Sequence, residues 1–351
     1  MDRDKASTLR GMIIGISFLI PQAALADEGG VSFWLPGLYG SLAAVPQQQP
    51  GFSLATIYYH TSVSAGADVA LAREFEIGRI PANVAASVKA SLNLNGTGDL
   101  GLIVPTYTFA TPVLGGQATV GLMTVVGNTS TSLAGTLSGA LSTPFGSIPF
   151  MRSDSISDSV TGFGDLYPQA TLKWNQGVHN FMTYVTGDIP VGNYNSASLA
   201  NIGIGHGAID GGAGYTYFNP QTGHEFTAVG GLTYNLVNPA TDYQNGIDFH
   251  LDMAASQFLS KQLFVGPVGY VYTQLTADRG SAPILGPIES RVFGVGPQVG
   301  YIFPVGNMQG AVNAKAYFEF DSHDRASGWN TWLTFSISPA APPAASPMIY
   351  K

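Results

Sequence analysis

The chain has no cysteine. Disulfides, thiolate catalysis and cysteine-ligated metal sites are therefore excluded. A thiol-free chain also suits passage through an oxidising compartment. Charge is scarce: Asp, Glu, Lys and Arg make up 10% of the 351 residues, against ~25% in an ordinary soluble domain. The balance is acidic, 14 Lys+Arg against 22 Asp+Glu, with a formal net charge of −8. That argues against a nucleic-acid partner, whose phosphates call for a basic face. No stretch past the first residues approaches the roughly 18 uninterrupted apolar residues of a membrane helix. H-E-x-x-H and G-x-S-x-G are both missing, and with them two common catalytic frameworks. Nothing in the chain calls for a cofactor.

What is present is a period of two. Residues 84–95 read VAASVKASLNLN. Val84, Ala86, Val88, Ala90, Leu92 and Leu94 share one parity, and Ser87, Lys89, Ser91, Asn93 and Asn95 the other. A strand sends successive side chains to opposite faces, so one flank is apolar and the other polar. The beat recurs to the end of the chain in segments of about ten residues separated by turn residues, the pattern of a wall with lipid outside and water inside. The fold class expected is all-β: a transmembrane antiparallel up-and-down β-barrel. Strand candidates are 52–60, 69–80 (the weakest), 84–95, 100–111, 117–127, 162–174, 178–189, 208–218, 224–236, 247–259, 263–275, 291–303, 309–320 and 328–337. Fourteen strands are favoured; if 69–80 is loop, 52–60 is expected to leave the wall with it, and twelve is the alternative. Connections alternate short and long. The long ones, at 129–161, 190–207, 237–246, 276–290 and 321–327, are expected outside the cell, and the short ones in the periplasm.

The ends read differently. Arg3, Lys5 and Arg10 precede an apolar run at 11–20, and Ala24-Leu25-Ala26 fits a small-x-small cleavage site. Residues 1–26 are thus expected to be a signal peptide cut after Ala26, delivering the protein to the outer membrane of a Gram-negative bacterium. Its partners there would be lipid, lipopolysaccharide and the barrel-assembly machinery. Residues 27–50 mix Gly, Pro and aromatics without a clean period and are expected to be an irregular N-terminal arm or plug in the lumen. The barrel occupies 51–337. The Pro/Ala-rich tail, 338–351, is expected to be extended or disordered.

Parity sorts side chains by environment. In 247–259, Phe249, Leu251 and Met253 face lipid, whereas Asp248, His250, Asp252 and Ser256 face the lumen. Asp165, Tyr167, Lys173, Tyr184, Asp188, Glu225, Lys315 and Tyr317 are likewise inward. Hydrogen-bonded ladders in a narrow lumen and a permeation path are both open readings of this set. Residues 203–214 (GIGHGAIDGGAG) lack G-x-G-x-x-G spacing and any following G-K-[ST], so their glycines are read as barrel packing. The six histidines are scattered. His250 and Asp252 share a face and suit a lumen hydrogen-bond couple better than a metal site.

Thr161-Gly162-Phe163-Gly164-Asp165-Leu166-Tyr167-Pro168 resembles the T/S-G-x-G-D-x-x-x-x-P motif of the outer-membrane proteins named for a MetA pathway of phenol degradation. Residues 189–194 (IPVGNY) are similar to its P-T-G-x-Y element, with Val191 in place of Thr. The block from Asn238 to Asp252 resembles N-P-x-T-x-Y-x-x-G-x-x-x-H-x-D. Gly296 to Tyr301 matches G-P-x-x-x-Y, and Ser32 to Gly37 is similar to the start of the mature chain. The resemblance implies an outer-membrane barrel associated with uptake of aromatic compounds, and it carries no catalytic residue.

The function expected is a passive channel for small hydrophobic or aromatic solutes, phenols and aromatic acids among them, rather than an enzyme. Its polar contacts along the substrate path would be Asp165, Asp188, Asp242, Tyr243, Asp248, His250, Asp252 and Gln298. Two other readings stay open: a barrel enzyme acting on lipid, with His250 as base, and a structural barrel without transport. Against the first, Ser256 lies six residues from His250, ~20 Å along a strand.

Overall fold

A computed structural model describes residues 32–66, 89–143, 146–280 and 289–340. The expected signal peptide, the candidate strand 69–80 and the tail beyond residue 340 lie outside these residues. In chain order the strands are β1 (Gly51–Ala65), β2 (Lys89–Thr108), β3 (Gln117–Thr143), β4 (Gly146–Gln176), β5 (His179–Gly187), β6 (Ala208–Asn219), β7 (His224–Asn235), β8 (Tyr243–Gln244), β9 (Asp248–Phe258), β10 (Leu263–Gln274), β11 (Arg279–Gly280), β12 (Arg291–Val305), β13 (Met308–His323) and β14 (Ser327–Pro339). Twelve of them close a barrel, each antiparallel to its sequence neighbours in the wall, with β1 sealing against β14 from Leu54↔Ile337 to Ser64↔Ser327. Closure leaves no unpaired edge in the transmembrane wall, as hydrocarbon requires. The other two, β8 and β11, form a small ribbon of their own.

The wall has twelve strands, not the favoured fourteen, and by a different route from the one expected. Residues 52–60 stay in the wall. Residues 89–95 and 100–108, from two separate candidates, belong to one continuous strand, β2, because Gly96 and Gly98 continue the ladder against Val63 and Thr61 instead of turning; residues 84–88 lie outside the described residues. The expected outer loop 129–161 is also mostly strand: β3 and β4 pair from Gln117↔Lys173 to Thr143↔Gly146.

These strands are long. β2, β3 and β4 run 20, 27 and 31 residues, whereas a tilted strand crosses a bilayer in ~9–11. The excess stands beyond the hydrocarbon, where the exterior is water, and the face code inverts there. Ser153, Ser155, Ser157 and Ser159 are exposed on the outside. Leu94 and Leu133 are buried inside with Ala65 and Ile156 against them. This corrects the expectation that the apolar flank of 84–95 meets lipid, for Leu94 points inward while Asn93 and Asn95 are exposed. Parity shows which residues share a face, but the solvent decides which face turns out.

A bulge in β4 reconciles the two codes. The register shifts between Thr124↔Leu166 and Val126↔Phe163, so Gly164 and Asp165 together oppose Val125. One extra residue flips the parity. Above the bulge Phe163 points out, 68% exposed. Below it Asp165, Tyr167 and Lys173 point in and Leu166, Leu172 and Trp174 out, as expected. The remaining walls follow the expected parity, with Val185, Ile209, Leu232, Val299, Phe318 and Leu333 forming an exposed apolar belt.

The centre of the barrel is occupied by the chain itself. Residues 32–50 lie against the inward side chains of β3, β4, β6, β7, β9, β12 and β13. Phe33, Trp34 and Ala44 are buried there in one cluster with Tyr184, Tyr270, Tyr317 and Trp332.

Candidate functional site: a clamped arm in the lumen

The arm is held through its backbone. The Asp252 carboxylate accepts N–H bonds from Gly37 (2.8 Å) and Tyr39 (3.0 Å). Facing it, the Lys315 ammonium donates to the carbonyls of Gly37 (2.5 Å), Leu38 (3.1 Å) and Tyr39 (3.3 Å). Lys315 also lies 5.2 Å over the Trp332 ring. One anion thus takes the N–H groups of Gly37 and Tyr39, and one cation the carbonyls of Gly37, Leu38 and Tyr39. Further along, Glu225 accepts from the Leu42 N–H (2.9 Å) and the Ser41 hydroxyl (2.7 Å). Thr216 accepts from Ala44 N–H, Lys173 donates to the Ala43 carbonyl at 2.7 Å, and Gln117 accepts from Gln47 N–H at 2.7 Å. Charge-assisted bonds in a desolvated lumen are among the stronger polar contacts. Gly37 sits at φ +90, and a Cβ there would lie 2.8 Å from the Tyr317 ring, so only glycine fits between clamp and wall.

Above the clamp is an aromatic and acid–base cluster. Trp34 stacks on His250, centroids 3.6 Å apart at 13°. The His250 Nε2 bonds Asp210 Oδ2 at 2.9 Å and the Tyr184 hydroxyl at 3.2 Å. Asp210 Oδ2 also accepts from Thr233 Oγ1. At the mouth, the 188–207 connection folds inward. Asp165 fastens it, its Oδ1 accepting from Gly192 N–H (2.7 Å) and its Oδ2 from Ile204 N–H (2.8 Å). Asn193 adds a bond from the Phe163 N–H at 2.8 Å.

The expected site residues divide into groups. Asp248, His250, Asp252 and Gln298 are all buried on the lumen side but at successive heights, each with its own partners. Asp248 accepts from Asn235 Nδ2 (2.8 Å), and Gln298 donates to Ser41 (2.7 Å) and Ser256 (3.0 Å). Asp165 and Asp188 sit higher, both buried, the latter just past β5. Tyr243 is buried in β8 with its hydroxyl donated to Asp278. Asp242 stands apart, exposed at a turn with φ 52. His250 meets Asp210 and Tyr184 and no serine; Ser256 is bonded to Ser41 and Gln298. Among the described residues no group of His and carboxylates has metal-binding geometry.

Sequence reasoning placed Lys173, Glu225 and Lys315 inward and missed what they hold. It passed over Trp34, Thr216 and Asp210. Asp210 lies inside the glycine-rich stretch weighed only for nucleotides, and its inward parity with Gly212 and Gly214 was the signal that could have found it.

The clamp on residues 37–39 comes from the β9 and β13 side, and the β2–β5 side facing residues 33–38 is largely apolar; Lys173 and Gln117 reach the arm further on, at Ala43 and Gln47. Between the arm and the β2–β5 wall is a cavity of about 60 Å³, bordered by Phe33, Leu38, Met123, Val125, Tyr167 and Ile202. Toward the mouth a second cavity, of about 160 Å³, lies between Leu35, Tyr59, Leu94, Leu100, Leu199 and Ile204.

Fold and lumen together define a closed transmembrane β-barrel with an internal N-terminal arm. The family described as "Putative MetA-pathway of phenol degradation" matches residues 82–335. The chain belongs to that family. A search of curated proteins finds no match. Among solved structures, the chain is similar to the COG4313 outer membrane channel from Pseudomonas putida F1, at 12% identity and a TM-score of 0.59, covering 87% of this chain and 100% of that one. At this identity the likeness is one of fold. A Pseudomonas aeruginosa FadL homologue superposes far more loosely, at 9% identity and a TM-score of 0.33 over 82% of this chain and 89% of that one.

Proposed function

We propose that this protein is an outer-membrane channel for diffusive entry of small hydrophobic or aromatic solutes, phenol-like compounds and aromatic acids among them, with residues 32–50 as its internal gate. The signal-like N-terminus and the apolar belt support an outer-membrane location, with lipid and lipopolysaccharide around the wall. The observation that carries the reading is the pair of cavities along the β2–β5 side of residues 32–39, a stretch whose backbone is clamped from the other side by Asp252 and Lys315. A solute can slide between arm and wall without breaking the clamp, and wider opening follows when the clamp lets go. An apolar cavity of ~150 Å³ is enough to hold benzene, so single-ring solutes match the larger space. No chemistry is required: the channel lowers the barrier of crossing and leaves the solute unchanged.

The test is single-channel recording of purified protein in planar bilayers, with uptake of radiolabelled phenol and toluene by cells carrying or lacking the protein. The expected result is small, flickering conductance that grows in Lys315→Met, together with faster uptake in the carrying cells. A folded wild-type barrel and a folded Lys315→Met barrel that both pass neither ions nor solute would overturn the reading and favour a structural barrel.

A further inference from the structure

The two cavities beside the arm share a border. Ser32, Leu35, Leu100, Ile202 and Ile204 line both. Four of these five are aliphatic. The hydroxyl of the fifth is taken up by the chain, donating to the Trp34 carbonyl (2.8 Å) and accepting from Arg325 Nη1 (3.3 Å). On either side of the border the surroundings differ. Much of the outer cavity is polar, with Thr61, Thr97, Thr129, Thr131, Ser196 and Asn201 in its lining. The inner one is mainly apolar, with Phe33, Met123 and Val125. An aliphatic collar thus stands at the foot of a hydrophilic vestibule. Its isoleucines are held from behind by the bonds of the 188–207 connection. Thr129 Oγ1 donates to the Asn201 carbonyl at 3.0 Å. The Asn193 carbonyl accepts from the N–H groups of Ile202 (3.2 Å) and Gly203 (3.0 Å). Asp165 accepts from those of Gly192 (2.7 Å) and Ile204 (2.8 Å). Gly192 lets the connection lie directly on the β4 bulge, for a Cβ there would come 2.5 Å from the Gly164 carbonyl carbon. Leu35, on the arm, stands two residues before the stretch gripped by Asp252 and Lys315.

We infer that Leu35, Leu100, Ile202 and Ile204 form a hydrophobic gate between the two cavities, passing uncharged apolar solutes and holding back ions while the arm is docked, with Asp165 as the residue that positions it. The inference deepens the channel reading and rests on it. A narrow aliphatic constriction sheds water and closes to ions by dewetting. An ion crossing it would leave its hydration shell with no polar atom to replace the lost bonds. An apolar solute, by contrast, leaves water for hydrocarbon contact there. Two of the four side chains come from the connection and one from the arm, so the collar can be opened from either partner. Asp165 holds the connection through two charge-assisted backbone bonds, one of them at Ile204 itself.

The experiment is planar-bilayer recording of the purified full-length protein in potassium chloride, with uptake of radiolabelled toluene by cells carrying each variant. Ile202→Asn, which puts an amide into the collar, is expected to raise the resting ion conductance several-fold. Ile204→Asn is the equivalent second substitution, should the first not fold. Ile202→Trp fills the collar and is expected to lower toluene uptake. Asp165→Asn, which sets an amide against one of the two backbone donors, is expected to raise ion conductance as the collar loosens. A cysteine in place of Ala44, 0% exposed beside the docked arm, reports on the arm through labelling by a water-soluble maleimide. Labelling is expected to stay at the parent level in Ile202→Asn and Asp165→Asn and to rise in Lys315→Met, which separates an opened collar from an undocked arm. Heat-modifiable migration on gels verifies that each variant is folded. Unchanged ion conductance in the folded asparagine variants of the collar, or unchanged toluene uptake in folded Ile202→Trp, overturns the gate. Conductance that rises in Asp165→Asn only together with cysteine labelling overturns the role of Asp165. If the collar variants change nothing while Lys315→Met conducts, the gate fails and the channel stands. If no variant passes ions or toluene, both fail.

Discussion

Removing the Asp252 carboxylate should undock the arm. Asp252 is 1% exposed and accepts two backbone N–H bonds, from Gly37 and Tyr39. Hydrogen bonds to a charged group contribute about 1.5–3 kcal/mol each. Asp252→Ala therefore costs the docked state about 3–6 kcal/mol. The lower figure is the better guide, because water can enter the space left and rehydrate the two amides. About 3 kcal/mol corresponds to a factor on the order of 100 in the population of undocked arm. The native chain has no cysteine, so Ala44→Cys supplies a single thiol at a site that is 0% exposed when the arm is docked. Its rate of labelling by a water-soluble maleimide follows the open population when opening is fast relative to labelling. The expected outcome is a rise on the order of 100-fold in Asp252→Ala over the parent, with the barrel still folded by gel migration. A rise below threefold would mean that the clamp contributes little to docking, and the reasoning from charged backbone bonds would be wrong.

Other expectations follow from the same geometry. Gly37→Ala forces a Cβ to within 2.8 Å of Tyr317 at φ +90; strain of about 1–3 kcal/mol should raise Ala44→Cys labelling roughly 5- to 150-fold, and unchanged labelling would refute the tight seat. Leu333→Arg, in the exposed apolar belt, should lower folding stability in lipid by about 2–4 kcal/mol, whereas Ser157→Arg, on the outer extension of β4, should change it by less than about 0.5 kcal/mol. Equal costs in urea titrations from lipid vesicles would place the bilayer boundary elsewhere. Burial raises the Asp278 carboxyl above its ordinary 3.8, so its unionised form favours the folded connection that holds Tyr243 and Gly246. That contribution is complete below the ordinary value and is lost as pH climbs through the raised one. Amide protection at Tyr243 and Gly246, corrected for intrinsic exchange, should thus be greater at pH 4 than at pH 7; the reverse order would contradict it.

The period-two beat by itself determined that the chain is a barrel and which side chains share a face. Alternation along 247–259 was enough to turn Asp248, His250, Asp252 and Ser256 inward, since a lipid-facing charge is too costly to tolerate a register slip. Where strands end was not legible. Gly96 and Gly98 look like a turn, yet they continue a ladder, because pairing partners on β1 and β3 decide whether a glycine turns or extends. The bulge at Gly164 and Asp165 was equally hidden, being a relation between two strands. So was the inversion in the outer halves of β2, β3 and β4, for the same alternation is satisfied by lipid outside or by water outside, and only height above the bilayer distinguishes them. Above all, the inward charges were legible as inward but not as a clamp. Their partners are backbone amides and carbonyls of residues 37–47, groups that every sequence carries and no pattern marks. Tertiary structure alone brings a particular stretch of backbone to a particular pair of charges.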